Sequence, residues 1–322
     1  MDKPQLVFLD AGSVGDDIEW PDFSSLGEVT QYDYTKPEEV IERIKDAEIL
    51  FTNKVVIKAE HIAAAPKLRC ICTLATGYNQ VDGKAAAERG IPLCNVPAYS
   101  TEAVAQHVFT LILAVASDIC PLAHSVREGA WSKSVHFCYW NKPIMELHGK
   151  TMGIVGFGDI GHAVGRIASA FGMRVVAYAP RPKDKPDYKP FDFVGLDALF
   201  EQSDVISMHC PLTPETHHMV NADLLRRMKK EALFINTARG PLVDDKALAE
   251  ALEQGVIRGA GLDVVEKEPM PDDNPLRLAP NCLITPHVAW CTVEARTRLM
   301  HGVFENVQNF LAGKPSNVQN GL

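Results

Sequence analysis

The hexapeptide Gly156-Phe157-Gly158-Asp159-Ile160-Gly161 lies between an apolar stretch, Thr151–Val155, and a segment whose apolar residues have helical spacing. Glycines at this spacing recur by chance, but a preceding strand and a following helix are the context in which G-x-G-x-x-G binds a dinucleotide. The first glycine then makes the tight turn, the second admits the pyrophosphate, and the third lets helix and strand approach. Amides at the helix N-terminus donate to the anion. The sequence therefore predicts a dinucleotide site at Gly156–Gly161.

The end of the next strand bears on the choice between NAD and NADP. An acidic residue about twenty positions on would bind the adenosine ribose hydroxyls of NAD and repel the 2′-phosphate of NADP. Ala179 stands there instead, and Arg181 and Lys183 follow it closely. A guanidinium suits a phosphate, although these two cations could equally be solvated charges of a loop. The sequence indicates NAD or NADP, with a preference for NADP.

Short apolar segments alternate with helix-length amphipathic segments along the 322 residues, which is typical of parallel α/β layers in two domains. Four strands are predicted before residue 100 and six after residue 150. A final amphipathic segment, Thr292–Leu311, is expected to pack back on the first domain. We predict two doubly wound parallel-sheet domains, a Rossmann cofactor domain and a flavodoxin-like substrate domain, with a cleft between them. Residues 1–98 plus 291–322 form the substrate domain, and residues 99–290, with the long helix Thr101–Ser117, form the cofactor domain.

Composition and charge exclude several classes of function. The formal net charge of −9 argues against a protein that binds nucleic acid, because such a protein needs a basic face. The most apolar stretch, Val108–Ala116, is too short to span a bilayer, so it predicts a buried helix. The first ten residues become polar too soon for a secretory signal. We expect no membrane association.

Cysteines and histidines give no clear metal-binding pattern. The eight cysteines are scattered, and only Cys70 and Cys72 lie close together, on one face of a predicted strand. No second pair completes a metal site, so buried reduced thiols in the cytoplasm are the simplest interpretation. The pair His217-His218 also lacks a second ligand cluster and is interpreted as two surface histidines. We predict no metal.

Three further segments each end a predicted strand, where a doubly wound sheet places its active site. They are Ile235–Pro241, Gly261–Pro269 and Ile284–Trp290. With the glycine turn, these segments closely resemble the D-isomer-specific 2-hydroxyacid dehydrogenases over essentially the whole chain. Asn95–Glu102 and Thr285–Trp290 are most similar to the glycerate dehydrogenase/hydroxypyruvate reductase branch.

The resemblance implies transfer of a hydride between NAD(P)H and a small 2-keto acid, hydroxypyruvate or glyoxylate, to give a D-2-hydroxy acid. Reduction leaves an alkoxide that needs a proton, and an imidazolium supplies one near neutral pH; His287 has that role by resemblance. Glu268 matches the carboxylate that orients the ring and favours its charged form, and Glu266 remains a competitor. Arg239 would bind the substrate carboxylate and polarise the carbonyl.

Other positions follow from the resemblance alone. Lys54, Thr76 and Gly77 match substrate contacts, and Trp290 is a hypothetical wall for the substrate side chain. Beyond the glycine turn and Arg181, the positions that match cofactor contacts are Cys210, Pro211, Thr216, Thr237, Ala238 and Asp263.

Two alternative functions use the same scaffold. One is a dehydrogenase of formate or phosphite, and the other is a nucleotide-sensing corepressor that recruits peptides. The glycerate-dehydrogenase-like residues near His287 argue against the first, and the retention of Arg239, Glu268 and His287 together argues against the second. The apolar helix Thr101–Ser117 and the aromatic segment Trp131–Trp140 have more hydrophobic surface than a solitary helix hides. With the resemblance, they predict a homodimer.

Overall fold

The computed structural model describes residues 3–181 and 184–322, and the chain divides into two compact units. The first unit is Met1–Ser100 with Cys291–Leu322, and the second is Thr101–Trp290. Lys183, one of the two cations expected beside the cofactor, lies outside the described residues.

The first unit is built on a parallel sheet that has five strands among the described residues, in the order β2-β1-β3-β4-β5. This is the flavodoxin-like order of a doubly wound sheet, which confirms the predicted class. Its strands are β1 (Gln5–Phe8), β2 (Glu28–Gln31), β3 (Ile49–Thr52), β4 (Cys70–Thr73) and β5 (Leu93–Cys94). Its helices are α1 (Val40–Ile44), α2 (Ala59–Ala64), α3 (Gly83–Glu88) and α10 (Val293–Leu311).

Both faces of this sheet are covered by apolar side chains. On one face Ile44, Ile62 and Leu93 pack with Leu50 and Ile71 of the central strands. The other face carries an aromatic cluster in which Phe8 and Phe51 stack and Phe23 meets Phe304 of α10 edge to face. Burial on both faces explains why the central strands are continuous apolar runs rather than alternating ones.

Polar contacts fasten the C-terminal helix α10 to the rest of its unit. The buried guanidinium of Arg296 pairs with both carboxylate oxygens of Asp17 and donates to the carbonyl of Val14 at 2.8 Å. Buried Asn306 donates to the carbonyl of Asn95 at 2.8 Å and accepts from the Asn317 side chain. These bonds satisfy polar groups that would be costly to bury alone. The final helix therefore completes the first unit, although nearly two hundred residues separate it from the first stretch of that unit.

Three thiols meet in the same sheet. Cys70 and Cys72 lie on β4, and Cys94 lies opposite Cys72 on β5. All three are buried and unbridged, with the Sγ atoms of Cys70 and Cys72 3.9 Å apart. Cross-strand pairing thus adds a third cysteine to the two that sequence spacing brings together.

The second unit has a parallel sheet in which seven strands are described, in the order β12-β11-β10-β9-β6-β7-β8. Its chain order reverses between β6 and β9, as in a Rossmann sheet, which confirms the predicted fold. The strands are β6 (Thr151–Val155), β7 (Arg174–Tyr178), β8 (Phe191–Phe193), β9 (Val205–Met208), β10 (Leu233–Asn236), β11 (Gly259–Leu262) and β12 (Cys282–Ile284). The helices are α4 (Thr101–Ala116), α5 (Ile119–Arg127), α6 (Asp159–Ala170), α7 (Leu196–Gln202), α8 (Ala222–Leu225) and α9 (Asp245–Glu253).

The predicted long helix Thr101–Ser117 is present and is one residue shorter than expected. It ends as α4 at Ala116, and Asp118, with φ +52°, turns the chain into α5. The two helices are bent by 61° relative to each other. No single helix among the described residues is both long and apolar enough to cross a membrane. Only this bent pair, taken together, has the required length and apolar composition. Val108, Leu111 and Ile112 of α4 are buried against the sheet.

The sequence predicted four strands in the first domain and six in the second, and it missed one strand in each. Both β2 and β8 lie at sheet edges. Strand β2, with the sequence Glu-Val-Thr-Gln, is largely exposed, and β8 has only three residues after Pro190. A strand that is exposed or very short lacks the apolar run used to find strands, so neither was predicted.

Candidate active site

The glycine turn lies at the switch point of the second sheet, between the ends of β6 and β9. Gly156 has φ +95°, and a Cβ atom there would lie 2.5 Å from the backbone nitrogen of Cys210. A Cβ at Gly161 would lie 2.3 Å from the carbonyl oxygen of Gly156. Both glycines are therefore required by close backbone approach. At Gly158, in contrast, a Cβ would meet no described atom within 4 Å, so its missing side chain leaves room for a ligand rather than for the protein.

The N-terminus of α6 faces the same space. Gly158 is the N-cap residue, and no side chain among the described residues caps the helix there. The first-turn amides, from Asp159 to Gly161, remain available to an anion. Phe157 is buried against Phe191 and Phe193, so only the backbone of the turn is presented. The cradle fits a pyrophosphate.

Other predicted cofactor positions border this end of the sheet. Ala179 and Arg181 follow β7, and the Arg181 side chain is exposed. Cys210 and Pro211 follow β9, where Thr216 Oγ1 donates to the Pro211 carbonyl at 2.8 Å and closes the loop.

A second indication of a ligand comes from Thr237, which follows β10. Its hydroxyl oxygen is buried with no hydrogen-bond partner among the described residues. An orphaned buried hydroxyl is uncommon in folded proteins and fits a missing ligand. The next residue, Ala238, donates its amide to Asn236 Oδ1 at 3.0 Å.

Glu268 and His287 form a direct pair beyond the ends of β11 and β12. The Glu268 Oε2 atom lies 2.6 Å from His287 Nδ1, a short charge-assisted distance. About 29% of the histidine side chain and 33% of the glutamate side chain remain exposed. Because Nδ1 is engaged, Nε2 is the ring nitrogen left to face a substrate. Glu266 contacts His218 instead, so Glu268 is the one of the two glutamates that contacts the His287 ring in this structure.

The backbone at His287 is held in an unusual conformation. Its φ is +55°, in the left-handed region that few non-glycine residues adopt. The His287 amide donates to the Asp263 carbonyl at 2.8 Å, and Trp290 Nε1 donates to the His287 carbonyl at 3.0 Å. These contacts offset the local strain at His287, the residue that the sequence predicts as the proton donor.

Asp263 organises the loop that carries His287. Its buried carboxylate accepts from Thr285 Oγ1 at 2.6 Å and from the amides of Val288 and Ala289, each at 2.8 Å. His107 Nε2, from α4, lies 2.9 Å from Thr285 Oγ1 and 3.5 Å from the carboxylate. The observed contacts of the Asp263 side chain are thus to its own chain, and its predicted contact with a cofactor stays a prediction.

Arg239 follows β10 on the neighbouring strand. Its side chain is half-buried, and Nη1 donates to the Ala238 carbonyl at 2.7 Å. Gly240 lies so close to the Val265 carbonyl that a Cβ there would overlap it. This approach holds the Arg239 backbone beside the loop that leads to Glu268.

Lys54, Thr76 and Gly77 belong to the first unit, at the carboxyl ends of β3 and β4. The buried carboxylate of Asp10 accepts the amides of Asn53, Lys54 and Val55, and so fixes the Lys54 backbone. Burial raises the pKa of Asp10, and the amide bonds oppose that rise. Thr76 Oγ1 donates to the Val96 carbonyl at 2.8 Å. The predicted substrate contacts of these three residues stay predictions.

A family model described as the NAD binding domain of D-isomer specific 2-hydroxyacid dehydrogenases matches residues 109–289. The chain belongs to this family. A hydroxypyruvate reductase of Blautia hydrogenotrophica is 44% identical over 94% of this chain and 95% of its own length. A glycerate dehydrogenase of Methylorubrum extorquens is 43% identical over 98% of both proteins.

Solved structures agree with the sequence relatives. An NADPH-dependent glyoxylate/hydroxypyruvate reductase from Sinorhizobium meliloti, in complex with NADP and malonate, superposes with a TM-score of 0.86. It is 27% identical and the match covers 99% of this chain and 97% of that one. As a D-2-hydroxyacid dehydrogenase, this chain is an oxidoreductase that acts on the CH–OH group of its donor.

Sequence reasoning missed three residues of this dehydrogenase that hold its predicted site residues in place. Asp10 fixes Lys54, while His107 and Thr285 support Asp263 and the His287 loop. Thr285 was visible as part of the motif around His287, but its role was not. Asp10 and His107 are separated by 44 and 178 residues from their partners, so no local spacing marks them.

Proposed function

We propose that this dehydrogenase reduces hydroxypyruvate or glyoxylate to the corresponding 2-hydroxy acid, with His287 as the proton donor. The observation that carries the proposal is the 2.6 Å contact between Glu268 and His287 Nδ1. That contact orients the ring so that Nε2 is directed to the substrate oxygen. The named relatives support the choice of a small 2-keto acid, and they do not favour formate, phosphite or a corepressor role.

The residues divide the chemistry among them. A bound nicotinamide supplies the hydride to the keto carbon, or accepts it in the reverse direction. His287 gives its proton to the oxygen as the alkoxide forms, and Glu268 stabilises the positively charged ring before transfer. Arg239 offers paired N–H donors to the substrate carboxylate and polarises the carbonyl. Reversal of the same steps makes His287 the base in oxidation.

We also propose NADP as the preferred cofactor. Ala179 places no carboxylate where the 2′-phosphate would lie, and Arg181 is exposed a short distance beyond it. The relative of known structure that is named as NADPH-dependent supports this choice. The expected result is a lower KM for NADPH than for NADH, and an equal or reversed preference would refute it.

Turnover on a panel of acids tests the function. Pyruvate, glyoxylate, hydroxypyruvate, formate and phosphite are assayed with each nicotinamide cofactor. We expect 2-keto acids to be reduced, and His287→Gln to lower kcat by roughly 10²–10⁴, the usual contribution of general acid catalysis. The control Glu253→Gln changes an exposed carboxylate of α9. A kcat in His287→Gln equal to that of the wild type would refute the assigned role, and peptide binding by a wild-type protein without turnover would favour a corepressor.

Trp290 is proposed to select among the keto acids. Its indole is anchored to the carbonyl of His287, so the ring stands next to the proton donor. Trp290→Ala should change the relative kcat/KM values for glyoxylate and hydroxypyruvate, because the second substrate carries the additional hydroxymethyl group. Unchanged ratios would remove Trp290 from the specificity site.

We further propose a homodimer located in the cytoplasm. Val135 is 95% exposed and Phe137 is 89% exposed, and Trp131 and Trp140 lie in the same segment. Such a concentration of exposed apolar side chains favours burial by a second copy. The three buried, unbridged thiols of β4 and β5 favour a reducing compartment. Light scattering that gave a monomeric mass would contradict the dimer.

A further inference from the structure

A cluster of potential metal ligands lies at the surface of the second unit, formed by His217, His218 and Glu266. His218 Nε2 is 2.9 Å from Glu266 Oε1, and the two imidazole rings stack with centroids 4.0 Å apart. One ligand atom from each residue lies within 4.8 Å of the other two. His217 and Glu266 are exposed and His218 is half-buried, so solvent reaches the cluster. A glutamate 48 residues away thus completes the histidine pair.

The backbone of each ligand residue is anchored. The His217 amide donates to the Thr213 carbonyl at 3.0 Å, and the His218 amide donates to the Pro241 carbonyl at 2.8 Å. The Glu266 amide donates to the buried carboxylate of Asp245 at 3.1 Å. These bonds fix the start of each side chain, so little backbone ordering remains to be done when a ligand binds.

The left-handed conformation of His218 explains how two consecutive residues present their rings together. Its φ is +50°, which few non-glycine residues adopt. In an extended segment successive side chains point to opposite faces. The turn at His218 instead stacks its ring on that of His217, and both rings face the same carboxylate region.

We propose that His217, His218 and Glu266 bind one divalent transition-metal ion, with Zn²⁺ as the expected occupant and water completing its coordination. Two imidazole nitrogens and one carboxylate oxygen suit Zn²⁺, Ni²⁺ or Cu²⁺. Mg²⁺ and Ca²⁺ prefer sites made of oxygen ligands and are not expected to bind here. Binding replaces the hydrogen bond between His218 and Glu266 with two metal–ligand bonds.

The bound ion would join two separate segments. One is the loop after β9, which contains His217 and His218, and the other is the loop after β11, which contains Glu266. Slower amide hydrogen exchange in both loops is therefore expected when Zn²⁺ binds. This readout needs neither substrate nor cofactor, so its failure is distinct from a failure of the proposed reaction.

Calorimetric titration with ZnCl₂ tests the proposal. Cysteine thiols are themselves zinc ligands, so every protein carries Cys120→Ser and Cys138→Ser to remove the two exposed thiols. We expect one equivalent of Zn²⁺ to bind in this background. Glu266→Gln and the double variant His217→Ala/His218→Ala should each weaken binding by at least about tenfold, since even an outer-shell partner of a metal is worth that much.

Two control variants separate this site from others. His287→Gln removes the other histidine that is paired with a carboxylate, and His301→Ala removes an exposed histidine of α10. Both should retain the wild-type affinity for Zn²⁺. The proposal is wrong if the background protein takes up no Zn²⁺, or if Glu266→Gln and the double histidine variant bind it unchanged.

Discussion

The carboxylate of Asp263 accepts the backbone amide of Ala289, two residues beyond His287, at 2.8 Å. A side chain at the end of one strand thus holds the loop that follows the next strand. His287 has left-handed backbone geometry within that loop. The position of the proposed proton donor therefore depends on a residue that does not touch its ring in this structure.

Replacement of Asp263 should impair catalysis, because its carboxylate holds the loop that carries His287. In Asp263→Asn, an amide NH₂ replaces one acceptor and leaves a buried backbone donor unpaired, which costs about 1–3 kcal/mol of folding free energy. A displacement of His287 by roughly 1 Å would lower kcat by about 10². We expect both losses, measured by urea unfolding and by keto-acid reduction. A variant that lost stability and kept the wild-type kcat would show Asp263 to be merely structural.

His107 provides a milder test of the same support. His107→Ala removes the ring that contacts Thr285 Oγ1, and His107→Gln restores a side chain able to hydrogen-bond. We expect kcat to fall in the alanine variant and to recover partly in the glutamine variant. The KM for the cofactor is measured as well and should stay unchanged. A general loss of fold would change both kcat and this KM.

The glycines of the turn should separate folding from cofactor binding. Gly156→Ala forces a side chain into a left-handed position against the Cys210 backbone, so it should destabilise the second unit. Gly158→Ala meets no described atom, so the fold should persist while affinity for NADPH falls. Thermal unfolding and fluorescence titration with NADPH measure the two effects.

Gly195→Ala is the matched control for that pair, since its Cβ also meets no described atom within 4 Å and it precedes α7. It should leave NADPH affinity unchanged. If Gly158→Ala bound NADPH as tightly as Gly195→Ala did, the open space at Gly158 would not be the pyrophosphate cradle.

A carboxylate at position 179 should reverse the proposed cofactor preference. Ala179→Asp would bind the ribose hydroxyls of NADH and repel the 2′-phosphate of NADPH. We expect the KM ratio to shift toward NADH by at least about tenfold, which corresponds to about 1.4 kcal/mol. Lys185→Ala serves as the control, because it also makes the same loop more negative by one charge but places no carboxylate at position 179. A ratio that stayed constant would mean that the 2′-phosphate lies elsewhere.

The ion pair between Asp17 and Arg296 should make the first unit sensitive to acid. The guanidinium lowers the pKa of Asp17 to about 2 from its usual 3.8. A carboxylate whose pKa is depressed by folding stabilises the fold above its unfolded value and loses that contribution as pH falls toward 2. Asp17→Asn should therefore be less stable than wild type at pH 7, with the difference shrinking between pH 4 and pH 2. Urea unfolding at each pH measures it.

Asp16→Asn removes the same charge from the neighbouring, exposed position. Its stability should stay close to that of the wild type at every pH. Equal pH profiles for the two variants would assign the acid sensitivity to net charge instead of to the pair.

Sequence patterns predicted the parts of this fold that burial on both faces makes apolar. The central strands and the amphipathic segment of α10 have periodic apolar residues, so both were visible. Strands β2 and β8 were not, because β2 is polar and exposed and β8 has only three residues. The end of α4 was predicted to within one residue, but α5, which begins after the left-handed Asp118, was not predicted.

In the candidate site too, the sequence predicted residues that stand in local motifs and missed residues whose contacts are distant in sequence. Motif context predicted Arg239, Glu268 and His287 as candidates, and in the structure Glu268 contacts His287 while Glu266 contacts His218. The contacts of Asp10, His107 and Cys94 arise from strands and helices that the topology brings together. A single sequence contains no spacing that reveals them.

The rate at which the buried thiols of β4 and β5 are alkylated also measures how often the first unit opens. An alkylating reagent reaches the buried thiols of Cys70, Cys72 and Cys94 when that sheet separates, whereas Cys120 and Cys138 are exposed in the folded single chain. Fast labelling of the exposed pair followed by slow labelling of the other three would report, peptide by peptide, how often the substrate-domain sheet comes apart under native conditions.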